Sequence, residues 1–438
     1  MDHCLTGKNI PLQEPLFILR RNHIMQRFGD QRDWFGEKRF GMFVHWGLYA
    51  LNAWHEQDQW RRRIPRADYI LLIDQFNPVN FDPDAWLDVA EAAGMEYICL
   101  TTKHHDGFCL WDTAQTDYNI MNTPYGKDVL RMLADACHRR NFPLCLYYSV
   151  VDWHHPNYPN QGRSHELPAP EAGDEPDFDR YRDFLVEQVR ELCTNYGPIH
   201  GFWWDMNVTG VVDPSINNLI RELQPAVVIN NRGFDDGDFG TPERDMTTDE
   251  SRMFQQRTEA CQSVGRESWG YRENEDYYSD AHLIRSIDRA LARGGNYLLN
   301  VGPKPDGTLP DESVAILGRI GDWYNSVKEA FGDAQSASHK TDNTDVLLTE
   351  RGDTLYVHLF REPVMSRVLL NPMDRLPARA TLLNNGAALP VRNDPLPTLC
   401  MDREGKLSDA KKDYVRVTGL PVNDMAGAVM IIKLEYEG

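Results

Sequence analysis

Between Phe40 and Phe331 the chain repeats one unit: a short apolar strand, a polar loop, then a capped amphipathic helix. A chain written this way has few options, because parallel strands joined by helical crossovers must be covered on both faces. Asp82-Pro83-Asp84 starts a helix with an acidic N-cap and proline at the first helical position, and Gly94 stops it just before a strand over 97–102. The same unit predicts a helix over 128–138 feeding a strand over 144–149. A helix over 178–193, stopped by Asn195-Tyr196-Gly197, feeds a strand over 199–204. Helices over 214–223 and 280–293 feed strands over 227–230 and 297–301. With 40–44 at the front, these parallel strands predict an α/β fold, a (β/α)8-type TIM-like barrel with one or two degenerate units. A doubly wound open sheet is the alternative, but no GxGxxG follows the first strand.

After a helix over 311–327 the pattern changes. Short β-prone segments at 346–348, 355–359, 368–370, 380–383, 415–417 and 428–432 are separated by Asn, Gly, Asp and Pro turns. They predict a C-terminal all-β sandwich. The expected division is a catalytic barrel domain over 1–337 and a sandwich over 338–438 that buttresses it.

A formal charge of −20 argues against nucleic acid or an anionic membrane surface as a partner. No apolar run approaches the length of a membrane span, and Met1-Asp2-His3-Cys4-Leu5-Thr6-Gly7-Lys8 lacks the basic and apolar regions of an export signal. The eight cysteines are scattered without CxxC pairs, which suits buried reduced thiols. A cytoplasmic protein is expected, although a secreted form with its signal removed would look the same.

Chemistry-bearing residues gather at the predicted strand ends, where barrel enzymes keep their sites. His45-Trp46 ends the first strand, Lys103-His104-His105-Asp106-Gly107 follows the second, and Tyr147-Tyr148-Ser149 ends the third. Trp203-Trp204-Asp205 ends the fourth, Asn231-Arg232 follows the fifth, and Thr241-Pro242-Glu243 adds another carboxylate. Aromatic faces beside acids and histidines suit a sugar, whose C–H faces pack on indole while its hydroxyls take hydrogen bonds. Two carboxylates on one pocket are the minimum for glycoside cleavage. Histidines and carboxylates at strand ends are also the ligand set of metal-dependent barrel hydrolases, so such an enzyme is the rival reading. Against it, the first strand has no HxH. A catalytically silent sugar-binding protein on the same barrel is the third possibility.

These segments, taken in order, resemble the α-L-fucosidases of glycoside hydrolase family 29. The resemblance rests on Trp34-Phe35, the run from Lys38 to Gly47, Thr102 to Phe108, Phe202-Trp203-Trp204-Asp205, Thr241-Pro242-Glu243, Ser268-Trp269-Gly270-Tyr271, and the run from Gly294 to Pro303. It implies a retaining exo-enzyme that acts on fucosylated oligosaccharides or glycoconjugates through a covalent fucosyl-enzyme and needs no cofactor or metal. By resemblance, Asp205 is the nucleophile and Glu243 the acid/base, with Glu259 in reserve. Where the family usually has Trp-Glu, this chain has Thr258-Glu259. His45, His104, His105, Tyr148 and Arg232 would hold sugar hydroxyls or orient Asp205, and Trp203 and Trp269 would face the ring and its methyl. The family often has adjacent Glu-Trp after the first strand; here Glu56-Gln57 precedes Trp60, which makes Glu56 and Trp60 further substrate-binding candidates. In the expected mechanism low-polarity surroundings keep Glu243 protonated while ionised Asp205 attacks.

Overall fold

The computed structural model describes residues 27–244, 251–370, 375–401 and 407–437. The N-terminal octapeptide with Cys4, read above, and the side chain of Cys400 lie outside what it describes. Seven parallel strands curl into one sheet: β1 (Phe40–Val44), β2 (Ile98–Lys103), β3 (Leu144–Ser149), β4 (Gly201–Asp205), β5 (Val228–Ile229), β6 (Glu259–Ser263) and β7 (Asn296–Val301). Their order is β5-β4-β3-β2-β1-β7-β6, with β1 paired to both β2 and β7.

The gap between β5 and β6 is closed by residues 239–243. Phe239 bridges Asn230 on one side, and Gly240 and Glu243 bridge Thr258 and Cys261 on the other, all parallel. The ring is therefore a (β/α)8-type barrel whose remaining strand is reduced to isolated bridges. No helix separates β5 from this segment. The chain returns within a few residues through Gly237, whose φ of +60° and backbone contact with Asn230, 2.4 Å from any added Cβ, leave room only for glycine. This unit escaped the sequence reading because no helix follows it before β6, and β6 escaped because Glu259-Ala260-Cys261-Gln262-Ser263 is not an apolar run.

Six helices of ten or more residues pack outside among the described residues: α1 (Pro83–Ala92), α2 (Val129–Arg139), α3 (Phe178–Asn195), α4 (Pro214–Leu223), α5 (Asp280–Ala292) and α6 (Asp311–Val327). Asp82, Asp128, Asp177, Asp213 and Ser279 each cap a helix by accepting backbone N–H bonds, as their side chains favour. Strand residues alternate between two cores. Phe202, Trp204 and Tyr148 point out to the helices, whereas Phe43, Tyr97, Tyr147, Trp203 and Leu298 fill the barrel interior. Gly41 and Gly201 make room inside for Tyr97 and Cys145.

The C-terminal part pairs a six-stranded antiparallel sheet, starting at Gln335–Ser336, with a three-stranded one. Of its longest hairpin, Val391–Met401 with Leu407–Thr418, the sequence reading gave only 415–417; the first strand went unread because Pro395 and Pro397 interrupt the β pattern, and they lie on an edge strand, where a missing donor is tolerated. The sandwich is tied to the barrel by the buried pair His358 and Asp288, 2.7 Å apart, the latter on α5. Among the described residues no helix is long and apolar enough to cross a membrane.

Candidate active site

One pocket of about 450 Å³ opens at the carboxyl ends of the barrel strands. Its walls include Phe43, His45, Glu56, His104, His105, Tyr147, Trp203, Asp205, Arg232, Glu243 and Trp269, with Gln57, His165, Met206 and Cys261 completing them.

Asp205 ends β4 with its residue 8% exposed. Tyr147 Oη donates to its Oδ2 at 2.7 Å and Arg232 Nη1 to its Oδ1 at 3.1 Å. Burial works to raise its pKa, but Arg232, His105 and the Tyr147 hydroxyl outweigh that and hold the carboxyl below its ordinary value. An anion with partly satisfied oxygens is what a nucleophile at this position requires.

The same guanidinium donates through Nη2 to Glu243 Oε2 at 2.9 Å, while Thr241 holds its Nε and Nη2. Arg232 thus clamps the two carboxylates to one site and lies 4.8 Å over the Trp203 ring. The expectation of dry surroundings for Glu243 is corrected here: its side chain is 41% exposed and ion-paired. Any drying must come from the bound substrate.

The histidines present lone pairs. His45 Nδ1 donates to Asn300 Oδ1, whose amide nitrogen is committed to Ser263 and the Trp269 carbonyl, so Nε2 of His45 is an acceptor. Ser149 gives its hydroxyl hydrogen to Val151, so it must accept from His105 Nδ1, leaving Nε2 of His105 as an acceptor as well. Burial pushes His45 down to about 4 and His105 down to about 3, so both rings are neutral. Gly107, at φ +80° and packed against Asp152, makes the turn that lets both adjacent histidines enter the cleft. Beneath them Lys103 is buried and paired with Asp152 at 2.8 Å.

Glu56 is 1% exposed, and its Oε2 accepts from Ser268 Oγ and the Trp269 amide, each at 2.9 Å. Burial opposes its ionisation, yet His55, His45 and the Trp269 amide keep its pKa below normal. Its Oε1 and the Nδ1 of His104 are buried without a hydrogen-bond partner. Trp269 reaches the pocket because Gly270 and Gly302 pass backbone to backbone, 2.3 Å from where a Cβ on Gly302 would stand.

Three sequence-chosen residues sit elsewhere. Tyr148 faces outward and donates to Gln188 on α3 at 2.6 Å; its neighbour Tyr147 is the pocket residue. Strand parity is the reason, since adjacent residues point to opposite faces and a Tyr-Tyr pair does not reveal which. Glu259 starts β6 one layer below the pocket, 2% exposed, accepting from Tyr97 Oη at 2.6 Å and Trp203 Nε1 at 3.0 Å. Burial raises it to about 7, but it supports Trp203 from underneath and does not line the pocket. Trp60 also stands behind the wall, stacked on His165. Tyr147, Gln57 and His165 were missed; for Tyr147 only the register could have told.

Several other polar side chains outside the pocket are structural. His154 stacks on Tyr118, and Asp235 and Asp238 hold Asn217, Arg32 and Arg221. The amide nitrogen of Asn207 is spent on the Val211 and Gly233 carbonyls. Among the described residues no three His, Cys, Asp or Glu side chains form a group that could hold a metal ion.

The Tyr147/Tyr148 assignment yields a paired expectation. Tyr147→Phe removes a donor that favours ionised Asp205, so the acid limb of the kcat/KM pH profile should move to higher pH and turnover should fall by about tenfold or more. Tyr148→Phe should leave that limb in place and cost about 1 kcal/mol of stability, read as a lower melting temperature. The reverse pattern would exchange their roles.

The family model described as Alpha-L-fucosidase matches residues 24–329. The chain is 27% identical to the tissue alpha-L-fucosidase of Bos taurus over 382 residues, covering 80% of this chain and 79% of that one. It superposes on alpha-L-fucosidase isoenzyme 1 from Paenibacillus thiaminolyticus with a TM-score of 0.79 and 33% identity, covering 93% of this chain and 99% of that one. A covalent intermediate of an alpha-L-fucosidase from Bacteroides thetaiotaomicron, trapped with 2-fluoro-fucosyl fluoride, superposes with a TM-score of 0.75 at 25% identity over 93% of this chain and 96% of that one.

Proposed function

The chain belongs to the alpha-L-fucosidase family, and we propose that Asp205 and Glu243 carry out, as nucleophile and acid/base, the retaining release of terminal α-L-fucose for which this family is built. The protein is a glycoside hydrolase, and its substrate is a fucosylated glycan. Fucose enters with its methyl toward the apolar faces of Trp203, Trp269 and Phe43, where a hydroxyl would be left unpaired. Its hydroxyls donate to Nε2 of His45 and His105 and to Oε1 of Glu56. The single observation that carries this reading is that the pocket buries orphaned polar atoms, Glu56 Oε1 and His104 Nδ1, beside a clamped pair of carboxylates.

Asp205 attacks the anomeric carbon as the glycosidic oxygen leaves with the proton of Glu243. The sugar that fills the mouth excludes water from Glu243, which raises its proton affinity and weakens its pairing with Arg232. Glu243 then takes a proton from the water that releases fucose. Two displacements at one carbon retain configuration. The barrel carries this chemistry and the sandwich buttresses it. A reducing compartment fits the six described cysteines, all buried and free.

Proton NMR of an aryl α-L-fucoside digest tests the scheme. The first free sugar should be α-L-fucose, mutarotating afterwards; β-L-fucose appearing first would replace the covalent route with a single displacement.

A further inference from the structure

His165 is the one pocket histidine that stands at the mouth. His45, His104 and His105 are at most 5% exposed, whereas His165 is half-buried and flanked by the exposed Ser164. It comes from the long connection between β3 and α3, far in sequence from any strand end, and nothing in its local sequence marks it.

The effort spent holding it is large. Its backbone is left-handed at φ +62°, a conformation that costs a non-glycine residue energy and persists only where the surroundings impose it. Trp153 Nε1 donates to its carbonyl at 2.7 Å. The Trp60 ring stacks on its imidazole at 5.3 Å and 17°, with Trp60 Nε1 bonded to the next carbonyl, that of Glu166, at 2.6 Å. Glu166, itself 1% exposed, accepts from Arg163 and from Tyr158 Oη at 2.9 Å, which locks the tip of the loop. The stem is fixed by Arg66, bidentate to Asp174 at 2.7 and 2.8 Å. A solvated loop needs none of this.

The ring stands by the reacting groups. Its centroid is 5.7 Å from that of His105, and burial lowers its pKa while Asp205 and Glu243 pull the other way. Ser164 takes its Nδ1 at 2.8 Å, which leaves Nε2 for a ligand. A group near both carboxylates but outside the enclosed part of the pocket meets what lies beyond the scissile bond.

We infer that His165, backed by Trp60, recognises the leaving group: it hydrogen-bonds a hydroxyl of the first sugar beyond fucose and so sets which fucosides are cleaved. Trp60 acts through His165 and is a positioning residue. The inference rests on the fucosidase reading and names the part of the substrate that the reading leaves open.

The test compares two substrate kinds on purified full-length enzyme. α-L-Fucosyl fluoride offers no leaving-group hydroxyl, whereas each member of a panel of fucosyl disaccharides differing in linkage does. His165→Asn keeps a residue that tolerates the left-handed backbone but loses reach and stacking surface. It should lower the ratio of kcat/KM on the best disaccharide to kcat/KM on the fluoride by about tenfold, the worth of one hydrogen bond. Trp60→Ala should lower the same ratio, and the double variant should be no worse than His165→Asn alone, because both act through one contact. An unchanged ratio in His165→Asn, or a wild type that turns over the fluoride but none of the disaccharides, overturns the inference. Full additivity of the two substitutions overturns the role of Trp60. A wild type inert on the fluoride removes the fucosidase reading itself, and the inference with it.

Discussion

Asp205→Asn is expected to lower kcat on an aryl α-L-fucoside by about three orders of magnitude or more, equivalent to roughly 4 kcal/mol of barrier. The amide is close to isosteric, so the Tyr147 hydroxyl still finds an oxygen to donate to, and Arg232 keeps Glu243 and Thr241. The fold should therefore survive, read as a cooperative melt near that of the wild type. What is lost is the anion. A neutral amide neither attacks the anomeric carbon nor offsets the positive charge that develops on it. KM should change far less than kcat, because the histidines, Glu56 and the tryptophans proposed to hold the sugar remain. A variant with more than a tenth of wild-type kcat would remove Asp205 from the chemistry.

Glu243→Ala should produce a different and more diagnostic loss. In the proposed scheme two steps depend on this residue, and they respond differently to the leaving group. With a sugar leaving group, protonation is needed and kcat/KM should fall by about three orders of magnitude. With an activated phenol, which leaves without a proton, the first step should be nearly spared and the covalent enzyme should accumulate, seen as a burst. The side chain stands at an exposed mouth, so its removal opens room for a small anion. Azide should then attack the fucosyl-enzyme without needing a general base, restore turnover and yield α-L-fucosyl azide. Glu259→Gln separates the two sequence candidates. Glu259 lies under Trp203 and out of the pocket, so azide should give that variant nothing. Rescue of the Glu259 variant instead would reverse the assignment.

Much of this architecture was legible from the chain. The helices over 214–223 and 311–327 have the bounds the pattern gives, because Asp213-Pro214 and the Pro310-Asp311 start are strong local signals. The strand carrying Asp205 was legible from the turn before it. What could not be read was set by non-local geometry. Tyr147 and Tyr148 are chemically identical neighbours, and only the register of β3 against β4 decides which meets Asp205. Glu259 looked like a site acid because the resemblance sets Thr258-Glu259 against a Trp-Glu pair; its depth in the barrel depends on how far β6 runs before the pocket floor. The closing segment 239–243 makes only isolated bridges, so it carries no periodic pattern to detect. His165 depends on a long connection folding back across the barrel mouth, and loops of that length are fixed by contacts distant in sequence.

Incubation with 2-fluoro-α-L-fucosyl fluoride, followed by peptic digestion and mass spectrometry, tests the central claim most directly. The fluorine at C2 slows both steps but the second more, so the covalent species should persist. One deoxyfluorofucosyl group should be found, on the peptide spanning Phe202-Trp203-Trp204-Asp205 and localised by fragmentation to Asp205. The label on Glu243 or any other residue, or an enzyme inactivated without a label, would contradict the account.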